Sequence, residues 1–271
     1  MMCAIIEPPT VEAELQLTGQ DKIQYGDLAG GNFMQKGGFF KFCRCCQQAF
    51  SRGHTYVWID TCYIDKSNSA ELSEAINSMC RWDQNAGVCY AFLEGVGCGD
   101  SYEDNSDFRR SRWFTRGRQF CDKLWQEIDF HRHHNARSEL LSEIANIHPL
   151  ALEDVRYAFR LPAATRISWV FKRSATRVED MAYCLLGLLQ VNLPLLYGEG
   201  DSAFVRLQRE VMSHSKDSSV ISWGIGQAWD EIINRTRASN VLARSPADFT
   251  HAFRFSPSHP SPKKKKIQQG R

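Results

Sequence analysis

The chain lacks the features of a membrane-spanning or secreted protein. No uninterrupted apolar run is long enough to span a bilayer. The first ten residues, MMCAIIEPPT, have no basic region before their short apolar run, so they do not match a secretory signal. We therefore expect a cytoplasmic protein in a reducing compartment, without a membrane span.

The chain also lacks an excess of charge of either sign. Its 271 residues include 33 lysines and arginines and 31 aspartates and glutamates, for a net charge of +2. Nucleic-acid-binding proteins usually carry a clustered basic face, so this balance argues against a nucleic-acid platform. Hydrophobic residues make up 43% of the chain, which is enough for one sizeable core.

Patterns that would indicate a metal or a dinucleotide are weak. The ten cysteines are scattered, and for CRCC at 43–46 buried core thiols are favoured over metal ligands. HRHH at 131–134 is interpreted as a solvated polar segment. The glycine-rich stretch 95–107 does not have the dinucleotide-binding spacing and is interpreted as a surface loop.

The clearest predicted unit is a strand, a helix and a second strand in close succession. TYVWID at 55–60 and VCYAFL at 88–93 are β-branched and aromatic runs typical of buried strands. Between them, Asn68 and Glu71 have capping-box spacing. Apolar residues then recur at helical spacing, namely Leu72, Ala75, Ile76 and Met79. This unit predicts parallel strands joined by a right-handed crossover.

The loop after the first predicted strand would lie at the carboxyl edge of the sheet, where open α/β folds place ligands. It contains Asp60, Thr61, Cys62, Asp65 and Lys66. For both aspartates, a structural role in accepting backbone N–H bonds is favoured over catalysis. Cys62 is rejected as a nucleophile because no histidine is recognisably paired with it.

Helical patterns dominate the rest of the chain. A helix is predicted over Phe39 to Phe50, another over 138–147, and a helix or turn over 164–173. Thr176 and Glu179 form a second predicted capping box. It opens a helix with these predicted core residues: Val178, Met181, Ala182, Leu185, Leu186 and Leu189. The last predicted helix runs from the cap Asp201 to about Ser213 with these inward residues: Phe204, Leu207 and Val211.

Three stretches resemble a known family. YVWIDTCYIDKSNSAELSEAINSMCRWDQNAGVCYAFL (56–93) resembles the central motif of the heterokaryon-incompatibility (HET) domain of filamentous fungi. RSRWFTRG (110–117) resembles the start of the third motif of that family. The segment from RISWVFKR to LQREVM (166–212) resembles the region that follows the domain in vegetative-incompatibility members. The resemblance runs from about Gln24 to Trp223.

The resemblance implies both a fold and a function. HET domains are related to TIR domains, so it implies a flavodoxin-like parallel α/β sheet with flanking helices, followed by a helical segment. Family members trigger cell death when genetically different hyphae fuse, a form of self/non-self recognition. Some TIR relatives cleave NAD with a glutamate on a helix at the carboxyl edge of the sheet.

The chain departs from the family pattern in two places. Nothing like the usual opening AILSHTWG precedes residues 23–33, so the N-terminus resembles a truncated and substituted start. The third motif usually continues as WTLQEL, whereas Arg116 and Gly117 are followed here by RQFCDKLWQEI. We interpret this as an internal deletion that removed the glutamate-bearing helix, and Glu127 lies in the strand-like part that remains. A gene-model error after Gly117 is the alternative.

These patterns divide the chain into several parts. Residues 1–23 are an unmatched segment, 24–150 an incomplete HET domain, and 151–223 the helical C-terminal part of the HET region. Residues 224–255 are expected to form a fragment of a following small domain. VLARSPADF (241–249) resembles the opening of that domain. Residues 256–271 are a disordered basic tail. A solvated tail is favoured there, with nuclear import through Lys263, Lys264, Lys265 and Lys266 as the alternative.

Three functional hypotheses follow. The favoured one is a non-catalytic interaction module of incompatibility and cell-death signalling, with protein partners, self-association through TIR-like faces and no cofactor. The alternative is an NAD-cleaving hydrolase whose carboxylate would stabilise an oxocarbenium-like state. A truncated product without a stable fold is the third. No catalytic residue is assigned, and the candidate cleft residues are Asp60, Thr61, Cys62, Asp65, Lys66, Arg116 and Gly117.

Overall fold

The structure is a computed structural model that describes residues 22–59, 61–86, 106–116, 134–224, 241–250 and 252. Side chains are described for these residues except Arg112 and residues 134–139. The candidate residues Asp60, Gly117 and Glu127, and the tail with its four lysines, lie outside the described part.

The described residues form helices joined by loops. The α-helices are α1 (Tyr25–Gly30), α2 (Phe39–Ser51), α3 (Ser69–Asn85), α4 (Asp107–Arg110), α5 (His134–Ala145), α6 (Pro149–Glu153), α7 (Val155–Arg160), α8 (Ala163–Ser168), α9 (Asp180–Tyr183), α10 (Leu186–Leu189) and α11 (Ser202–His214). Shorter 3₁₀ helices are Asn32–Gln35, Arg112–Thr115, Ser218–Ile221 and Pro246–Phe249. Within the described ranges, no helix has the length and apolar character needed to cross a bilayer.

The predicted TIR-like, flavodoxin-like parallel sheet is wrong. Over the described ranges the chain has isolated β-bridges and no strand, with Arg116 bridged in parallel to Ser174 and a single bridge at Trp58. In the run predicted as the first strand, Tyr56 is 72% exposed while Trp58 is buried. A strand of a parallel sheet is covered on both faces, which this segment is not. The second predicted strand, 88–93, lies outside the described residues.

Helix α3 begins where its cap was predicted. The Asn68 side chain accepts hydrogen bonds from the backbone N–H groups of Ala70 (3.1 Å) and Glu71 (3.3 Å). Glu71 accepts from the Asp65 N–H instead of completing a capping box. The inward residues are as predicted, since Ala75, Ile76 and Met79 are buried and Leu72 packs against both hydrophobic clusters.

Two hydrophobic clusters lie on different faces of α3. The small one contains Trp58, Ile64, Ala75 and Met79, with Trp82 packed edge-to-face on Trp58 at 5.6 Å between ring centroids. The large one is the main core, and it includes residues of α5 to α11 and of the segment 241–252. Helix α3 therefore joins a thin N-terminal layer to a thick C-terminal core.

Helix α3 approaches α10 very closely. A Cβ built on Gly187 would lie 2.1 Å from the Cβ of Cys80, so the contact depends on the missing side chain. The Asn77 side chain then bonds the backbone of Leu193 in both directions, with its amide donating to the carbonyl and its oxygen accepting from the N–H, each at 2.9 Å. These contacts fix the loop after α10 to α3.

The helix predicted from Thr176 and Glu179 is broken into α9 and α10. Val178, a predicted core residue, is exposed, and Glu179 caps no helix with its side chain. The predicted core residues Ala182, Leu185, Leu186 and Leu189 are nevertheless buried. In α11 the predicted inward residues Phe204, Leu207 and Val211 are all buried, although Asp201 makes no side-chain capping bond.

The described segment 241–252 packs on the main core. The fully buried Gln208 of α11 donates to the Ala243 carbonyl at 2.7 Å and accepts from the Ala243 N–H at 3.0 Å. Ala243, Phe249 and Ala252 are buried in the same cluster as α11. The predicted division of the chain into parts stays a prediction.

Candidate functional site

Cys62 lies inside the loop that precedes α3 and is buried. Its thiol lies 3.5 Å from the carbonyl oxygen of Ile23, to which it donates, and 3.5 Å from the Thr61 hydroxyl. Ile23 is buried as well. Cys62 therefore contacts the start of the described chain through a weak S–H hydrogen bond and otherwise behaves as a small buried apolar residue.

Asp65 shapes the turn that leads into α3. Its carboxylate accepts from the N–H (2.9 Å) and the hydroxyl (2.6 Å) of Ser67. These bonds from Ser67 hold the pKa of Asp65 below its ordinary value. Such a turn is a common structural use of a loop aspartate. Lys66 follows on the exposed side of the same turn.

Arg116 lies at a different junction of the fold. Its carbonyl accepts from Arg173 at 3.2 Å, and the carbonyl of Thr115 accepts from the Ser174 N–H at 2.9 Å. The structure thus brings Thr61, Cys62, Asp65 and Lys66 into one loop, and it pairs Arg116 with the segment after α8.

A polar network around Tyr183 was missed by the sequence analysis. The Tyr183 hydroxyl accepts from the Leu196 N–H at 2.8 Å and from Arg206 at 3.3 Å. Arg206 also pairs with Glu199 at 2.5 Å. Partial burial raises the pKa of Tyr183 to about 12. Burial opposes the charge of Arg206, but its hydrogen bond with Glu199 raises the Arg206 pKa overall.

Glu179 binds the backbone of the loop 194–200 that also contains Leu196 and Glu199. Its Oε1 accepts from the N–H groups of Gly198 (2.7 Å) and Gly200 (3.1 Å), both of which have positive φ angles. These residues join distant parts of the sequence, so no local spacing predicts them. Because the network bonds its own members, it serves to hold the loop 194–200 in place.

An open cleft of about 830 Å³ lies between the end of α2 and the segment after it. Aromatic side chains dominate its lining, and Phe50 is 82% exposed. The lining residues are Cys46, Gln47, Phe50, His54, Thr55, Tyr56, Val57, Trp58 and Tyr63. Burial raises the pKa of the Cys46 thiol, which disfavours a reactive thiolate at neutral pH.

The helix beside this cleft buries little of its own surface. Of the 13 residues of α2, only Cys45 and Ala49 are buried. The sequence predicted this helix, but it did not predict that its second apolar face would be left uncovered. Across the described ranges, no group of three His, Cys, Asp or Glu side chains is arranged to hold a metal ion.

Comparison with known proteins relates the chain to a curated fungal protein. No family model and no solved structure matches the chain. The chain is similar to the vegetative incompatibility protein HET-E-1 of Podospora anserina, with 36% identity over 205 residues. The match covers 71% of this chain and 15% of that protein, so the chain spans a small part of its relative's length. This similarity supports a protein of the heterokaryon-incompatibility type.

Proposed function

We propose that the chain acts in the cytoplasm of fungal hyphae as a protein-binding module of heterokaryon incompatibility and the cell-death signalling that follows it. The similarity to a vegetative incompatibility protein supports the process. The observation that carries the binding role is the aromatic cleft beside α2. There, Phe50 and Tyr56 present most of their surface to solvent. Contiguous exposed apolar surface on a folded protein marks interaction sites.

The geometry of the candidate loop also supports binding over catalysis. Cys62 is buried against Ile23, and Asp65 is engaged by Ser67. Both side chains therefore have structural partners that account for their presence. The predicted self-association was argued from the faces of a TIR-like sheet, which the structure does not have, and self-association itself stays a prediction.

The process can be tested in hyphae. The full chain would be expressed in a filamentous fungus that carries a known incompatibility reaction, and cell death after fusion would be counted. We expect the chain to change the frequency of death. The matched control is Leu207→Asp, which places a charge at a fully buried position and prevents folding. An equal effect of the control, or no effect of the chain, would contradict the proposal.

The non-catalytic part of the proposal needs a purified protein. The chain would be incubated with NAD, and release of nicotinamide would be followed by chromatography. We expect no turnover. Turnover that disappears in an Asp60→Ala variant would instead establish a hydrolase.

A further inference from the structure

We infer that the exposed face of α2, together with the adjoining cleft, binds an acidic amphipathic helix of a partner protein. The inference rests on the proposed binding role and deepens it, because it names the surface and the chemistry of the partner. Three properties of α2 carry it: the spacing of its exposed residues, the sign of its charges and the cleft at its end.

One face of α2 carries a regular stripe of exposed and half-buried residues. Phe40, Cys43, Gln47 and Phe50 are three, four and three positions apart, which places them on that face, with Cys43 half-buried and the other three exposed. Phe40 and Phe50 are exposed, whereas the opposite face of α2 contains the buried Cys45 and Ala49. Apolar side chains at this spacing are the surface against which a second helix packs.

The charged residues between positions 35 and 59 have one sign, and Lys36 also pairs with Asp27 at 3.3 Å. Residues 35–59 contain the cations Lys36, Lys41, Arg44 and Arg52 and no aspartate or glutamate. The Arg44 guanidinium lies 5.3 Å from the centre of the Phe40 ring, so a cation borders the apolar stripe directly. A second copy of this chain that presented the same face of α2 would place cations against cations, which is unfavourable. An acidic partner is the complementary one.

The cleft supplies an anchor point at the end of the stripe. Phe50 and Gln47 belong to both the helix face and the cleft lining, so the two surfaces are continuous. Trp58 and Tyr63 form part of the cleft wall. A large apolar side chain of the partner would be desolvated there, as anchor residues are at the centre of protein interfaces.

The arrangement suits a peptide better than a nucleic acid. Single-stranded nucleic acids also bind aromatic and basic surfaces, but their affinity depends on many phosphate contacts along a groove. Here the four cations border one short helix whose exposed aromatic side chains, Phe40 and Phe50, stand at helical spacing, which fits the anchors of a partner helix.

The test measures fluorescence anisotropy with the full chain. The probe is a labelled helical peptide with leucines on one face and glutamates on the other, and its control carries lysines in place of the glutamates. We expect the glutamate peptide to bind and the lysine peptide to bind at least ~10-fold more weakly. The double variant Phe40→Ala/Phe50→Ala should weaken binding of the glutamate peptide by ~10-fold or more.

The matched control variant is Val241→Ala, which removes an apolar side chain that is 74% exposed outside this surface and should bind as the parent does. Failure of the glutamate peptide to bind, full affinity in the double variant, or tighter binding of a thymidine oligonucleotide would overturn the inference. A chain that changes hyphal death but fails these assays would leave the proposed function standing and locate its partner elsewhere.

Discussion

Helices α2 and α11 have the same length and very different surroundings. Each has 13 residues with apolar side chains at helical spacing. Helix α11 buries five residues, among them Phe204, Leu207 and Gln208, in the main core. Helix α2 buries two, both small.

The difference shows that an amphipathic pattern predicts a helix but does not predict how much of it is covered. In α11 the apolar face meets α9 and the described segment 241–252. In α2 the face with Cys45 and Ala49 is covered, and the opposite face with Phe40 and Phe50 is open to solvent. The core therefore gains its stability from the C-terminal half, and the N-terminal helices offer surface. Four measurements test this contrast.

The largest effect is expected from a core truncation in α11. Leu207→Ala removes a fully buried side chain and should lower the free energy of unfolding by about 2–5 kcal/mol. The measurement is urea denaturation followed by circular dichroism. A loss below about 1 kcal/mol would mean that α11 is not packed as described.

The next effect tests the contact between α3 and α10. Gly187→Ala introduces a Cβ 2.1 Å from the Cβ of Cys80, and overpacking of this kind should cost about 1–3 kcal/mol. The matched control from the N-terminal region is Gly26→Ala, where no atom lies within 4 Å. Gly26 lies in helix α1, where alanine is favoured over glycine, so the variant should be neutral or more stable by up to ~1 kcal/mol. Equal melting temperatures for the two variants would contradict the close approach.

These results bear on what the sequence could predict. The spacing of Phe204, Leu207 and Val211 predicted both a helix and its buried face, because a 3.6-residue period carries both kinds of information. The run TYVWID predicted neither its secondary structure nor its buried face, because a short apolar run does not specify a partner strand. In the structure it buries Trp58 against α3 and exposes Tyr56. The sheet was predicted from the residue types of two short runs, but a sheet exists only where strands pair with each other through hydrogen bonds.

In the candidate site, the sequence predicted the local contacts and did not predict the long-range ones. The sequence placed Thr61, Cys62, Asp65 and Lys66 together because they are neighbours in one loop. It could not link Glu179 to Gly198, or Tyr183 to Arg206, because those contacts depend on how separate segments fold back on each other. Nor could it show which face of α2 lacks cover, since that depends on the rest of the chain.

The third measurement concerns pH. Hydrogen bonds from its own backbone N–H and from those of Gly198 and Gly200 hold the pKa of Glu179 below its ordinary value of 4.5. The folded state then binds fewer protons than the unfolded state. The stability that Glu179 contributes is therefore complete above that value and is lost as the pH falls through the lowered pKa. Urea denaturation at a series of acidic pH values measures this loss.

Two substitutions test whether the loss of stability at acidic pH comes from Glu179. Glu179→Gln keeps an oxygen that can accept from Gly198 but does not titrate, so it should flatten the acid dependence of unfolding. The N-terminal control is Asp27→Asn, whose carboxylate has a lowered pKa through the Gln24 N–H and Lys36. Asp27 is more exposed, so its effect should be smaller. A slope unchanged by Glu179→Gln would remove this group from the explanation.

The smallest effect is expected on α2 itself. Phe50→Ala truncates a side chain that is almost wholly in solvent, so the free energy of unfolding should change by no more than about 0.5 kcal/mol. The same denaturation experiment used for Leu207→Ala provides the comparison. A loss comparable with that of Leu207→Ala would show that the outer face of α2 is covered within the chain.

The paired hydrogen bonds between Gln208 and Ala243 set a practical limit on shortening the protein. A chain that stopped at Trp223 would leave a buried amide group with neither of its Ala243 partners, and it would uncover the core surface now in contact with Phe249. The amide would keep its bond to the Phe204 carbonyl at 3.0 Å, but each lost hydrogen bond is worth about 0.5–1.5 kcal/mol, a large part of the stability of a single domain. The smallest fragment suited to biophysical work therefore extends through residue 252, beyond the point where the incompatibility-like sequence pattern ends.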